Sequence, residues 1–361
     1  MITCLIPAHN EEQRVATAIS SIKGQVDRVI VVADNCTDGT VEIARSLGVD
    51  VFETVSNTDK KAGALNQVLA ELLPQTTNRD FFFMLDADSQ VNATFVSEAL
   101  SIFRDPNVGA VGGIFYGESG HGLIGQFQRN EFVRYANDVA YRRYRAMVVT
   151  GTAGMFRATA LAQVVDGRRA DTLPRAEGPA PTGVYDTAAL TEDNELTLAI
   201  KTLGYECVSP PSCLVRTEVM PTWRALWRQR YRWMRGAIEN LTAYGFTPVT
   251  RKYWTQQLSL FVGAIALGLY WVYLALVIIL GQLSPSWWLL LTIVFVIERL
   301  YTVRKAGKKG MFVAVWIYPE IAYDMVILAT FIWAAIGAVL RRNQDWHHVA
   351  STASTVSNGA V

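Results

Sequence analysis

The sequence predicts an α/β domain with a mainly parallel sheet, followed by helices that enter a membrane, and two features of the chain carry that reading. Residues 1 to about 120 alternate short apolar runs with amphipathic stretches, the pattern of repeated strand–helix–strand units. Beyond about residue 256 the pattern changes: Leu258 to Leu280 is a run of 23 residues without a charge. Crossing a hydrocarbon core of about 30 Å takes roughly 20 apolar residues.

Strands are expected at Ile2 to Ile6, Arg28 to Ala33, Phe81 to Leu85 and Val108 to Phe115. Helices should start after Asn10 and after Asp38, both N-cap residue types ahead of apolar periodicity. From Val165 to Thr187 the chain is rich in Gly, Pro, Asp and Arg, which predicts a mobile loop. Thr191-Glu192-Asp193 opens an amphipathic stretch to Leu203, and an Arg- and Trp-rich helix should run from about Thr222 to Asn240. There is no internal repeat and no low-complexity tract.

Three membrane segments are expected. Leu258 to Leu280 is the first; Trp287 to Ile297 must borrow residues up to about Val303, which brings in Glu298 and Arg299; Ile321 to Leu340 carries Asp324. Met311 to Tyr318 reads as an interfacial or re-entrant piece. Arg251 and Lys252 before the first span, and Arg299, Arg304, Lys305, Lys308 and Lys309 after the second, make those two a hairpin reaching outward and back. A third span would put the tail outside, whereas Arg341 and Arg342 argue for inside. The expected organisation is a catalytic domain at 1–220, an amphipathic interfacial helix region at 221–256, a transmembrane region at 257–345 and a tail at 346–361.

A chain of 361 residues, 51% hydrophobic, can fill a large core and carry an appendage. A net charge of +1 leaves no polyanion footprint, so nucleic acid is not an expected partner. Cys4, Cys36, Cys207 and Cys213 lack metal-ligand or disulfide spacing and read as buried thiols of a reducing compartment. The N-terminus enters a strand pattern without a basic n-region, so the first domain is expected in the cytoplasm.

In open α/β sheets ligands sit beyond the carboxyl ends of the strands, and three such ends are polar here: Pro7 to Glu12, Asp34 to Thr40, and Asp86-Ala87-Asp88. No GxGxxG follows the first strand, which argues against a dinucleotide enzyme. Asp86 and Asp88 offer hard oxygens for Mg²⁺ or Mn²⁺ bridging to phosphates, or else form a strand-end turn. Asp193 opens a helix, where local evidence favours a capping acid, and the functional alternative is a general base. Gln229, Arg232 and Trp233 share one helix face, an amide, a guanidinium and an indole able to converge on one ligand. Trp223, Trp227, Arg224, Arg228 and Arg235 would equally suit a helix lying beside a membrane.

Seven motifs in order then resemble the processive branch of glycosyltransferase family 2, which includes cellulose, hyaluronan and poly-N-acetylglucosamine synthases. They are Pro7-Ala8-His9-Asn10-Glu11-Glu12, Asp34 to Thr40, Lys61-Ala62-Gly63-Ala64-Leu65-Asn66, Asp86-Ala87-Asp88, Gly151-Thr152-Ala153-Gly154, Thr191-Glu192-Asp193 and Gln229-x-x-Arg232-Trp233. The resemblance spans most of residues 1 to 240. It implies a GT-A fold, inversion at the anomeric carbon, and a UDP-sugar donor, with UDP-N-acetylglucosamine or UDP-glucose favoured, used with Mg²⁺ or Mn²⁺. It implies Pro7, Ala8, Asn10, Glu11 and Asp34 around the nucleotide, Lys61 at the diphosphate, and Asp86 and Asp88 at metal and donor. Asp193, flanked by Glu192, maps onto the base. Gln229, Arg232 and Trp233 map onto the segment that covers the diphosphate and orients the acceptor sugar, and Gly151 to Gly154 onto the acceptor entrance. The acceptor would be a growing glycan or a lipid-linked sugar at the bilayer.

Two departures stand out. Many processive synthases carry membrane helices before the catalytic domain, and about three spans are few to enclose a glycan channel. Either several copies associate as a homo-oligomer, or the product is short, or the acceptor is a membrane lipid such as a polyprenyl phosphate taking a single sugar. Cys36 also stands where small polar or acidic residues are commoner. A degenerate binding protein would have lost one of the chemical residues, and Asp86, Asp88 and Asp193 are all present.

Overall fold

A computed structural model describes residues 1–175, 181–282 and 285–340. The strands are β1 (Ile2–Ala8), β2 (Arg28–Ala33), β3 (Asp50–Glu53), β4 (Phe81–Leu85), β5 (Gln90–Val91), β6 (Val108–Gly112), β7 (Ile114–Gly117), β8 (Ala153–Arg157), β9 (Glu206–Val208) and β10 (Leu214–Thr217). Seven of them form one sheet in the order β3-β2-β1-β4-β8-β6-β9, parallel except where β8 runs against β4 and β6. The other three form a small sheet in the order β5-β10-β7.

The apolar runs explain this layout. Phe81 to Leu85 pairs on both sides, with β1 and β8, so both of its faces are covered and it needs no polar alternation. Phe82 and Met84 point to one core, with Leu65, Leu69, Leu161 and Ile200; Phe83 and Leu85 point to the other, with Ile19, Ile22 and Phe95. Successive side chains of a strand alternate faces, so one short segment anchors both layers. The helices supplying those layers are α1 (Val15–Ile22), α2 (Thr40–Ser46), α3 (Lys60–Leu72), α4 (Phe95–Ile102), α5 (Gly122–Tyr141), α6 (Ala158–Arg169) and α7 (Glu192–Thr202). Cys4, Cys207 and Cys213 are buried thiols, and Cys36 is half-buried.

Three expectations need correction. Val108 to Phe115 is two strands, not one. At Gly113 the chain changes partners: its N–H donates to Ala153 O (3.0 Å), and the next, of Ile114, donates to Cys213 O (2.7 Å). A Cβ at Gly113 would lie 2.1 Å from Val215 Cγ2, so only glycine permits the crossing. The first helix starts at Val15 rather than directly after Asn10, because Asn10 takes φ 58° and its side-chain oxygen accepts from Thr37 N (2.8 Å), tying two loops together. Asp38, in contrast, accepts from Thr40 N (3.1 Å) at the start of α2.

The expected loop from Val165 to Thr187 is in part α6, and packing reaches beyond it. Arg168 is buried and pairs with Glu195 of α7 at 2.6 Å, while Val184 and Tyr185 join the core. A buried cation with a buried partner overrides a composition that reads as loop. Residues 176–180 lie outside the described residues.

The C-terminal part comprises α8 (Trp223–Tyr244), α9 (Arg251–Ile279), α10 (Pro285–Val303), α11 (Gly307–Val315) and α12 (Ile317–Val339). Thr222 caps α8, its hydroxyl accepting from Ala225 N (3.2 Å), and Gly245 at φ 66° closes it. Among the described residues two helical stretches are long and apolar enough to cross a membrane. They are Arg251–Ile279, with mean hydropathy 2.4 and none of its apolar stretch buried, and Tyr318–Val339, with mean hydropathy 1.8. Residues 341–361, with Arg341, Arg342 and the expected tail, lie outside the described residues.

The polar residues of the apolar segments meet at a neck against α5. Glu320 accepts from Asn130 Nδ2 (2.8 Å), pairs with Arg134 (2.5 Å) and lies 3.3 Å from Arg299, which also pairs with Asp324. Asn137 Nδ2 donates to Thr302 O (2.8 Å) at the end of α10. Helix α12 runs along α8, with Gly337 under Tyr231, where a Cβ would meet the phenol oxygen at 2.3 Å.

Candidate functional site

The carboxyl ends of β1, β2 and β4 gather the polar segments. Ala8, the last residue of β1 after Pro7, accepts from Asp34 N (2.8 Å) and from Cys36 Sγ (3.3 Å). One oxygen of Asp34 accepts from Asn35 (3.0 Å), Thr54 (2.9 Å) and Asn57 (2.8 Å), so this carboxylate stiffens the first loops, and its other oxygen makes no hydrogen bond among the described residues. Glu11 N–H donates to Thr40 (2.8 Å) and Gly39 N–H to Glu12 (3.0 Å), locking the first loop onto the second.

The next layer joins four segments far apart in sequence. Lys61, in the first turn of α3, donates to Asp86 Oδ1 (2.5 Å) and to Gly151 O (3.1 Å), and lies 3.9 Å from Glu192. Gly151 N–H donates to Asp193 Oδ2 (2.9 Å), and Asn194 N–H to Asp193 Oδ1 (2.8 Å). Each Asp193 oxygen therefore has one donor and one lone-pair direction to spare. Thr152 O accepts from Asp86 N (3.0 Å). A Cβ on Gly151 would sit 2.8 Å from Lys61 Nζ and would push the ammonium aside. Ala153 and Gly154 belong to β8 and are buried in the sheet, leaving Gly151 and Thr152 as the part of that motif that faces the site.

Charge is unbalanced here. Burial, reinforced by Asp88, pushes Asp86 up to about 6 although Lys61 opposes it. Burial and then Glu218 raise Asp88, and burial with Asp88 pushes Glu11 up to about 7. Asp193 is raised by burial and by its neighbour Glu192. Burial alone would lower the Lys61 ammonium, but Asp86 and Glu192 outweigh it and raise it. Mutual repulsion among Glu11, Asp86, Asp88 and Glu218 is what a bound cation would relieve. Among the described residues no group of three or more His, Cys, Asp or Glu side chains forms a closed metal cage. Two carboxylates with substrate phosphates and water are an ordinary set for Mg²⁺ or Mn²⁺.

Helix α8 reaches the same place from below. Gly236 packs on Thr191, where a Cβ would meet the hydroxyl oxygen at 2.4 Å, and Asn240 donates to Thr191 O (3.1 Å) and Asn194 Oδ1 (3.1 Å). Arg232 stands one turn before Gly236 on that ridge of the helix. Arg232 makes no hydrogen bond or ion pair among the described residues. Gln229 accepts from Arg230 (2.6 Å), and the Trp233 ring lies 4.4 Å from the same guanidinium.

Sequence reading missed several groups. Glu218 and Arg14, paired at 3.0 Å, come from opposite ends of the domain. Thr197 accepts from Val149 N (2.9 Å) and donates to Asp193 O (2.7 Å), holding the loop before Gly151 on α7; its i+4 spacing from Asp193 was the available signal. Tyr185 is buried beside Lys61 and is fixed by Asn66, which pairs with its backbone at 2.8 and 2.9 Å.

Comparison with known proteins agrees with this arrangement. A family model described as glycosyl transferase family group 2 matches residues 81–303. Poly-beta-1,6-N-acetyl-D-glucosamine synthase of Staphylococcus aureus is 25% identical over 282 residues, covering 76% of this chain and 63% of the relative. Probable glycosyltransferase YdaM of Bacillus subtilis is 28% identical over 252 residues, 65% of this chain and 54% of the relative. The chain thus spans between 54% and 63% of the length of these two relatives. A mannosyltransferase from Pyrobaculum calidifontis, solved in complex with GDP-mannose and Mn²⁺, superposes with a TM-score of 0.62 at 19% identity, covering 95% of this chain and 88% of that one. That likeness shows a GT-A-like α/β fold. With more than half of its length matched, the chain belongs to glycosyl transferase family group 2.

Proposed function

We propose that this is a membrane-bound, inverting glycosyltransferase that passes a sugar from a UDP-sugar, UDP-N-acetylglucosamine or UDP-glucose, to a growing glycan. The observation that carries it is the junction of Lys61, Asp86, Gly151 and Asp193, in which the Lys61–Asp86 ion pair and the Asp193 carboxylate are both hydrogen-bonded to Gly151. Asp193 accepts the acceptor hydroxyl proton as that oxygen bonds to the anomeric carbon and the bond to UDP breaks. Lys61 and Arg232 neutralise the departing diphosphate from two sides. Pro7, Ala8, Asn10, Glu11 and Asp34 frame the nucleotide, and Gly151, Thr152 and Trp233 the acceptor. Asp86 and Asp88 would hold Mg²⁺ or Mn²⁺, which supplies Lewis-acid stabilisation of the leaving group; the similar mannosyltransferase was solved with Mn²⁺. The synthase name of the Staphylococcus aureus relative supports a polymerising reaction with N-acetylglucosamine.

In this reading α9, α10 and α12 cross a bilayer and the domain lies on its cytoplasmic face. The unpaired apolar surface of α9 supports it, with Leu258, Ile265 and Leu269 each more than 60% exposed. A single-addition reaction on a polyprenyl phosphate is the second reading. It is favoured by a cleft of about 580 Å³ between α5 and α11, where Arg129, Lys308 and Lys309 stand beside Leu123 and Phe312. Turnover of detergent-solubilised protein with a panel of UDP-sugars and Mn²⁺, followed by UDP release and product mass, decides. A ladder of additions from one donor supports the polymerase, one sugar on a co-purified lipid supports the second reading, and no UDP release with any donor defeats both.

A further inference from the structure

Between Gln229 and Arg232 stands Arg230, one of the largest fully buried side chains of the molecule. An arginine in an Arg-rich amphipathic helix ordinarily faces solvent or headgroups, and this one faces inward. Its Nε and Nη2 donate to the two oxygens of Glu131 on α5 (3.2 and 2.9 Å), its Nη1 donates to Gln229 Oε1 (2.6 Å), and its guanidinium covers the Trp233 ring at 4.4 Å. Glu131 Oε2 also accepts from the hydroxyl of Tyr323 on α12. One carboxylate thus ties together three helices, and one guanidinium touches two side chains of the motif.

We infer that Arg230, Glu131 and Tyr323 form a clamp through which the seating of α12 positions Gln229 and Trp233 for substrate. The inference rests on the proposed role of those two residues at the donor and acceptor. A buried guanidinium with a single carboxylate partner has few alternative placements, because moving it leaves two charges unpaired. Its fixed position has two consequences for the motif. The Gln229 oxygen is already occupied, so the amide turns its N–H groups outward, as donors suited to phosphate or sugar oxygens. One face of the Trp233 ring is covered by Arg230, and the residue remains 36% exposed, leaving the other face to stack on a sugar. Tyr323 is itself held by Phe127 and Trp223, at 5.2 and 6.0 Å between ring centroids. The apolar helix is therefore a structural part of the acceptor site as well as an anchor, and Arg230, Glu131 and Tyr323 are positioning residues.

The test uses the full-length protein in lipid nanodiscs with UDP-N-acetylglucosamine, Mn²⁺ and a short N-acetylglucosamine oligomer as acceptor. Tyr323→Phe keeps the ring packing and removes only the hydroxyl. It should lower transfer to the oligomer about tenfold, the scale of a hydrogen bond to a charged group, through the acceptor KM. UDP release without acceptor should fall less than transfer does, because the clamp acts on the acceptor chiefly through Trp233. Arg230→Lys keeps the charge but loses the fork and the stacking, and should be at least as impaired. Amide hydrogen exchange across residues 226–236 should quicken in both variants. An unchanged ratio of transfer to hydrolysis in Tyr323→Phe, or an equal fall in both, would overturn the clamp, as would unchanged exchange. If the wild type releases no UDP, the donor reading fails instead, and hydrogen exchange alone decides the clamp.

Discussion

Two regions of this molecule are crowded with charge, and they are built in opposite ways. At the end of the sheet Glu11, Asp86, Asp88 and Glu218 face one another, and burial with mutual repulsion holds all four above the usual carboxylate range. At the neck Arg134, Arg299 and Arg230 each meet a carboxylate of another helix, with Asn130 and Tyr323 taking further lone pairs of those acids. The first region holds carboxylates in excess of its cations, whereas the second pairs its charges across helices and leaves Arg134 Nε as a buried donor without a partner among the described residues. Charge left unbalanced marks where a substrate belongs, and charge balanced across elements marks how the parts are joined.

Substitutions in the two regions should therefore separate rate from stability. Asp193→Asn should lower transfer by ~10²–10⁴-fold with UDP affinity unchanged, because a missing base acts on the transition state alone; steady-state rates beside calorimetric UDP binding measure both. Glu320→Gln should leave UDP binding by the folded protein intact. Its denaturation midpoint should fall by a loss at or below the ~3–5 kcal/mol of a broken buried pair, since Arg134 and Arg299 keep some solvent contact. Gly236→Ala sits where the regions meet and should move both readouts. Its methyl must displace Thr191, costing about 1–3 kcal/mol, and the displacement passes directly to Glu192 and Asp193. Arg28→Ala breaks a pair with Asp50 that is exposed on both sides, and should shift stability by ~0–1 kcal/mol with no change in turnover. Were Arg28→Ala to match Glu320→Gln, burial would not be what distinguishes the neck.

The same contrast explains what the sequence could convey. Arg28–Ala33 and Phe81–Leu85 were legible residue for residue, because a short, doubly covered strand writes its burial into consecutive apolar residues. The motif residues at the sheet ends were legible because each stands on its own local turn. The break at Gly113 was not, since what forbids a side chain there is Val215, a hundred residues away in the chain. Helix α5 was missed for a related reason: nothing local marks Asn130, Glu131 and Arg134, whose partners arrive with α8, α11 and α12. Charged residues within Leu-rich stretches, Arg299 and Asp324, looked like obstacles to membrane segments, and they are partners of each other.

The central claim is that the end of the sheet is a metal-assisted nucleotide-sugar site, and calorimetry of UDP binding to the detergent-solubilised protein, with and without Mn²⁺, tests it most directly. The account predicts binding that depends on Mn²⁺ and is weakened in Asp88→Asn; equal affinity in the presence and absence of Mn²⁺, with Asp88→Asn indistinguishable from wild type, would contradict it.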